Sequence, residues 1–294
     1  MIRTRGLTKH YGATTALERL DLDVAAGSVF GFLGPNGSGK TTTIRLLIGL
    51  IAPTHGTAEI AGVDVARDPT RVHALVGYLS GSFRAFPDMT AERYLGYLAD
   101  LRGGAGRAAI GPLAERLELP LGRRIADLSH GNRQKVGIVQ ACMGEPPVLL
   151  LDEPTQGLDP LMQHVFLDLV REARERGATV FLSSHILSEV DAVADRIGVL
   201  REGRLAAVDT VAHLRARAVR RLALRFSEPP PREVLSGVAG VRDLVVDGTA
   251  LQLTVEGSTA ALMAALAPYR VEDVVSREPD LEEVFLSVYD GAHA

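Results

Sequence analysis

The 294 residues are 46% hydrophobic and 23% charged, with 32 basic against 36 acidic side chains and a net charge of −4. This composition excludes a disordered chain and a strongly basic nucleic-acid binder, and the length suits roughly two domains. The single cysteine, Cys142, excludes a disulfide scaffold and a thiolate zinc site. With Val139, Ala141 and Met143 beside it, Cys142 reads as a packing residue on a buried helix. No run reaches the roughly 18 consecutive apolar residues of a membrane helix, and the longest candidate, around Ile44 to Ala52, contains Arg45. Met1 to His10 has basic residues without an apolar stretch behind them, so the expectation is a protein kept in the cytoplasm.

In chain order, Leu20, Leu22 and Val24 alternate along one face. Val29, Phe30, Phe32 and Leu33 then form a dense apolar run ending at glycine, the pattern of a buried strand. Apolar residues at 44, 47, 48 and 51 predict a helix from Thr41 to Leu50. The stretch from Phe86 to Met143 reads as mainly helical. Pro87 to Thr90 precede Tyr94, Leu95, Leu98 and Leu101, and Leu113, Leu117 and Leu121 resume the period after the loop Gly103 to Gly106. Val148 to Leu151 lies between Pro147 and Asp152 as a central strand, and Thr179 to Ser183 follows a charged helix over Phe166 to Arg176. Strands separated by helices predict a parallel sheet with helices on both faces.

Past residue 208 the character changes. A charged helical connector is expected over Thr210 to Arg221, leading to alternating Leu222, Leu224 and Phe226, closed by Pro229 to Pro231. A short helix over Arg232 to Ser236 comes next. Val241 to Val246 and Leu251 to Val255 then flank Asp247-Gly248, a hairpin signal. Ser258 is a candidate cap for a helix to Leu266. Val271 to Val275 is a last strand, and Pro279 opens a helix carrying Leu281, Val284, Phe285 and Val288. The order βαββαβα fits a ferredoxin-like split βαβ plan with one added helix.

Gly34-Pro35-Asn36-Gly37-Ser38-Gly39-Lys40-Thr41 fits G-x-x-x-x-G-K-[ST], and Thr42 follows. Glycines let the backbone N–H groups converge on phosphate oxygens, and the next helix points its positive end at the same anion. Lys40 is expected to reach the β and γ phosphates, and the Thr41 hydroxyl to ligate Mg²⁺. Asp152 and Glu153 end the apolar run Leu149 to Leu151. Asp152 is a candidate to hold Mg²⁺ through water. Glu153 is placed to deprotonate a water attacking the γ-phosphate. The other histidines besides His185 show no metal spacing.

Further motifs give a resemblance. Leu128-Ser129-His130-Gly131-Asn132-Arg133-Gln134 resembles the LSxGxxQ form of the ABC transporter signature, Gly157-Leu158-Asp159 its D-loop, and Ser183-Ser184-His185 its switch histidine. Residues 1 to about 215 thus resemble the nucleotide-binding subunit of an ABC transporter, a P-loop NTPase cassette of α/β class with a mixed sheet and a helical subdomain over about 84–145. Residues 220–294 form a small C-terminal α+β domain. The resemblance implies two copies facing head to tail around ATP. Ser129 and the Gly131 N–H then donate to the γ-phosphate across the interface, His185 contacts that phosphate and Glu153, Asp159 couples the two sites, and Tyr11 stacks on adenine. It also implies a separate multi-span membrane permease, peripheral attachment on the cytoplasmic side, export of a drug, antibiotic or lipid-like molecule, and no nucleic-acid partner.

The family usually has Gln or Glu after a strand like Gly77-Tyr78-Leu79, where this chain has Gly81, so Mg²⁺ ligation and coupling at that loop are in question. Glu278 to Leu286 is similar to the accessory domain of daunorubicin-resistance members, as an add-on that stabilises or dimerises or as a regulatory element. The alternatives are a soluble ABC-type ATPase acting on ribosomes or DNA, and a nucleotide-gated regulator with little turnover. The single cassette argues against the first, and Glu153 with His185 against the second.

Overall fold

The computed structural model describes residues 1–213, 219–229, 232–256 and 259–277. The chain divides into two compact units, Met1–Asp209 and Thr210–Ala294. The first begins with strands β1 (Ile2–Tyr11), β2 (Thr14–Val24) and β3 (Val29–Leu33) and helix α1 (Lys40–Leu47). Strands β4 (His55–Ile60) and β5 (Val63–Asp64), helix α2 (Pro69–Leu75) and strand β6 (Val76–Leu79) follow. Helices α3 (Ala91–Leu101), α4 (Ile110–Arg116) and α5 (His130–Cys142) come next. The unit closes with β7 (Val148–Asp152), α6 (Pro160–Glu175), β8 (Thr179–Ser184), α7 (Leu187–Asp191), β9 (Arg196–Arg201) and β10 (Arg204–Thr210).

Two sheets result. One is antiparallel, in the order β2-β1-β4-β5, and the other has six strands in the order β10-β9-β3-β8-β7-β6. In the second, β9, β3, β8, β7 and β6 run parallel. Every residue of β3, β7 and β8 is buried, as expected for strands covered on both faces. Phe181 stacks on Phe30 at 5.6 Å and packs on Phe32 at 5.1 Å, so three rings fill the space beneath the adjoining strands. Such ring pairs add about 0.5–1.5 kcal/mol to their area burial, which ties β3 firmly to β8. The register sets Leu33 beside Ser184 and Asp152 beside Ser183. Three strand ends therefore open onto one edge, the usual ligand edge of a parallel sheet.

The second unit is an antiparallel sheet of β11 (Val219–Phe226), β12 (Val241–Asp247), β13 (Ala250–Glu256) and β14 (Val271–Arg277) in the order β12-β13-β11-β14. Helix α8 (Arg232–Ser236) lies between β11 and β12 in sequence, and α9 (Ala260–Leu266) between β13 and β14. This is the strand order of a split βαβ plan. Leu222, Leu224, Phe226, Leu251, Leu253 and Val255 form one apolar face, and Leu235, Leu262 and Leu266 cover it from the helices. The hairpin loop is Gly248-Thr249, with Gly248 at φ 58°.

Several expectations change. The antiparallel sheet of the first unit, including the whole of β1, is additional to the predicted parallel one. Leu121 lies beyond α4. The amide of Leu119 donates to Ala114 O and that of Glu118 to Glu115 O, with Glu118 at φ 50°, a Schellman ending that reverses the chain before Pro120. Helix α6 starts at Pro160, ahead of Phe166, because the Asp159 carboxylate accepts from the Met162 amide and caps it. The connector is not one helix. β10 extends to Thr210, and Val219 to Arg221 already pair in β11, where cross-strand hydrogen bonds hold them extended. Residues 214–218, Pro230, Pro231, Ser258 and the helix expected from Pro279, with the Glu278 to Leu286 stretch, lie outside the described residues. Cys142 ends α5 half-buried rather than fully buried, and desolvation pushes its thiol up to about 12.

Candidate active site

The glycine loop joins β3 to α1 and is shaped by its neighbours. A Cβ on Gly34 would lie 2.4 Å from Leu200 O, and one on Gly39, at φ 111°, 2.5 Å from Ala16 O. Only glycine fits either place, so the loop closes tightly and α1 begins at Lys40 with free amides at its positive end. Lys40 is 5% exposed. Its ammonium donates to Gly34 O at 2.6 Å and Pro35 O at 3.2 Å, and lies 3.2 Å from Glu153 Oε1. Ser38 is buried with its Oγ unpaired, while Pro35, Asn36 and Gly37 stand exposed at the mouth. Thr41 and Thr42 are half-buried in the first turn.

Asp152 is fully buried at the end of β7. Its Oδ1 accepts from Ser183 Oγ at 2.6 Å, and its Oδ2 has no hydrogen-bond partner. A buried carboxylate oxygen without a donor is costly unless a cation or water meets it. Gly81 lies alongside, where a Cβ would be 3.3 Å from that Oδ2, and its φ is not left-handed. Glycine at this point keeps room beside Asp152 and offers no side-chain ligand. Burial raises the Tyr78 hydroxyl above its usual range, a hydrogen bond with Ser80 opposes the rise, and the Asp152 charge adds to it.

Glu153 follows with φ 47°. Its amide donates to Ser183 O at 3.2 Å and Ser183 Oγ at 3.1 Å, which pins the turn out of the strand. Its Oε2 lies 2.7 Å from His185 Nδ1, so one carboxylate bridges Lys40 and His185. Gln134, 2% exposed on α5, donates to Glu153 O at 3.2 Å and Pro154 O at 3.0 Å, holding the same turn from the other side.

The structure thus brings Lys40, Glu153 and His185 together through the Glu153 carboxylate, and Ser183 ties Asp152 to the Glu153 backbone. The glycine loop wraps Lys40, while Ser129, Gly131, Asp159 and Tyr11 make other contacts. Ser129 caps α5 by accepting from the Asn132 amide. Gly131 lies against Gly157, where a Cβ would be 2.6 Å from Gly157 O, and a Cβ on Gly157 would strike the His130 ring. Asp159 serves as the α6 cap already described. Tyr11 is 47% exposed at the end of β1, with Lys9 Nζ 5.1 Å from its ring centroid. Sequence reasoning gave Ser183 and Gln134 no role of their own. A hydroxyl closing an otherwise apolar strand was the signal for Ser183.

Residues 17–156 match the family model described as ABC transporter. The daunorubicin/doxorubicin resistance ATP-binding protein DrrA of Streptomyces peucetius is 35% identical over 98% of this chain and 92% of its own length. The bacitracin transport ATP-binding protein BcrA of Enterococcus faecalis is 36% identical over 74% of this chain and 71% of its own. A solved ATP-binding subunit of an ABC transporter superposes with a TM-score of 0.69 at 32% identity, covering 73% of this chain and 92% of that one.

Proposed function

We infer function from membership: the chain belongs to the ABC transporter family as an ATP-binding, ATP-hydrolysing subunit, and we propose that it drives export of a drug or antibiotic through a separate membrane permease. The carrying observation is the bridge from Lys40 through Glu153 to His185, set beside the half-satisfied Asp152. ATP phosphates compete for the Lys40 ammonium, which without them rests on loop carbonyls and Glu153. Drawing Lys40 onto phosphate leaves Glu153 with His185 as its remaining partner and frees it to take a proton from water. His185 keeps the carboxylate aimed while its imidazole meets the γ-phosphate.

Asp152, through its unpaired Oδ2, and Thr41 would hold Mg²⁺; when bound, the ion neutralises charge on the β and γ phosphates. Ser183 orients that carboxylate. Ser183→Ala is expected to lower turnover about 10–100-fold and move half-maximal activity to higher Mg²⁺, as loss of a ligand's hydrogen-bond partner does. A Mg²⁺ titration of the two proteins checks this.

In this reading two copies pair head to tail. Ser129 and the Gly131 amide, at the N-terminus of α5, donate to the γ-phosphate held by the partner, Asp159 links the sites, and Tyr11 stacks on adenine. The permease in this reading is a separate chain met on the cytoplasmic side, and no helix among the described residues is long and apolar enough to cross a membrane. The cassette spans 1–215, with its helical subdomain over about 84–145, and the accessory domain 220–294. Drug or antibiotic as substrate class rests on the bacitracin transport and daunorubicin/doxorubicin resistance roles of the two relatives. Capture of the chain from detergent-solubilised membranes is expected to recover a multi-span protein. Recovery of ribosomes in its place refutes the transport reading.

A further inference from the structure

Besides Asp152, the buried acidic side chain among the described residues is Glu189, 6% exposed on α7. Its Oε2 accepts from Ser184 Oγ at 2.9 Å, and its Oε1 is buried with no partner. Ser184 is itself fully buried, and the same Oγ accepts from the Ile186 amide at 2.9 Å. These two bonds flank His185, whose side chain is 43% exposed and has little packing to aim it. Along β8 neighbouring side chains point to opposite faces. Ser183 therefore serves Asp152 while Ser184 serves Glu189, and the histidine is held at the exit.

We propose that Glu189 is a positioning residue for turnover: through the Ser184 hydroxyl it fixes the turn that presents His185 to Glu153. A buried carboxylate with one oxygen unpaired is a poor choice for stability alone. Its use here fits a site where a local stability rule yields to function. The inference rests on His185 and Glu153 acting in hydrolysis.

Turnover, ATP affinity and thermal midpoint are to be measured for Glu189→Ala, Glu189→Gln, Ser184→Ala and His185→Ala. Glu189→Ala and Ser184→Ala are each expected to lower kcat at least about fivefold with ATP affinity unchanged, since a misaimed side chain removes an interaction used in the transition state. Glu189→Gln keeps an acceptor for Ser184 and is expected to recover most of the loss. A folded Glu189→Ala protein with undiminished kcat overturns the proposal. So does a fall in affinity and kcat together with the thermal midpoint, which marks a structural role. If Glu189→Ala does not fold, Ser184→Ala decides by the same criteria. A His185→Ala protein as fast as the unaltered one refutes the underlying reading. A slow His185→Ala beside fast Glu189→Ala and Ser184→Ala proteins refutes the Glu189 proposal alone.

Discussion

Glu153→Gln is expected to bind ATP with Mg²⁺ at least as tightly as the unaltered chain and to hydrolyse it about 10²–10⁴-fold more slowly, the span of a lost general base. The amide has nearly the carboxylate's shape and still has an oxygen for the His185 ring, so the geometry around 2.7 Å survives. It cannot take a proton from water. It also removes the negative charge 3.2 Å from Lys40 Nζ, which releases the ammonium for phosphate. Phosphate release and equilibrium nucleotide binding measured on the same preparation separate the two effects. With turnover stalled, ATP should accumulate between two copies, and sedimentation should register a monomer passing to a dimer. Turnover equal to that of the unaltered chain would remove Glu153 from its assigned place.

Lys40→Ala is expected to act on the other step. Lys40 is 5% exposed and its ammonium is already aimed along the loop, so little reorganisation is needed when phosphate displaces the carbonyls. A hydrogen bond to a charged group is worth about 1.5–3 kcal/mol, so ATP affinity should fall roughly 10–100-fold. Calorimetric titration with ATP reads this directly. Unchanged affinity would mean that the loop amides alone carry nucleotide binding and would refute the assignment of Lys40 to phosphate.

The strands that carry chemistry were legible because each is an apolar run between breakers and is buried on both faces. β3 and β7 met both conditions. The phosphate loop was legible for a related reason: backbone contacts at Gly34 and Gly39 admit no side chain, so its spacing is written in glycine. The antiparallel sheet was not. In β1, Ile2 to Arg5 alternate buried and exposed, but Leu7 and Thr8 are both buried and the register shifts along the strand, which breaks the period of two. Val219 to Arg221 misled because their strand state comes from cross-strand pairing, which local sequence does not record. In the site, the acid pair and the histidine were found, while the cross-links that aim them were not. Ser183 bonds across 31 residues to Asp152, and Gln134 across 19 to Glu153.

The left-handed backbone at Glu153 bears on protein engineering. At φ 47° a residue with a Cβ is strained, and glycine would sit there more comfortably. A thermostability screen blind to activity should therefore enrich glycine at this codon, and its carriers would be sturdier and inert. Libraries built on this scaffold need a functional counter-selection, or they will evolve away the group that lets it work.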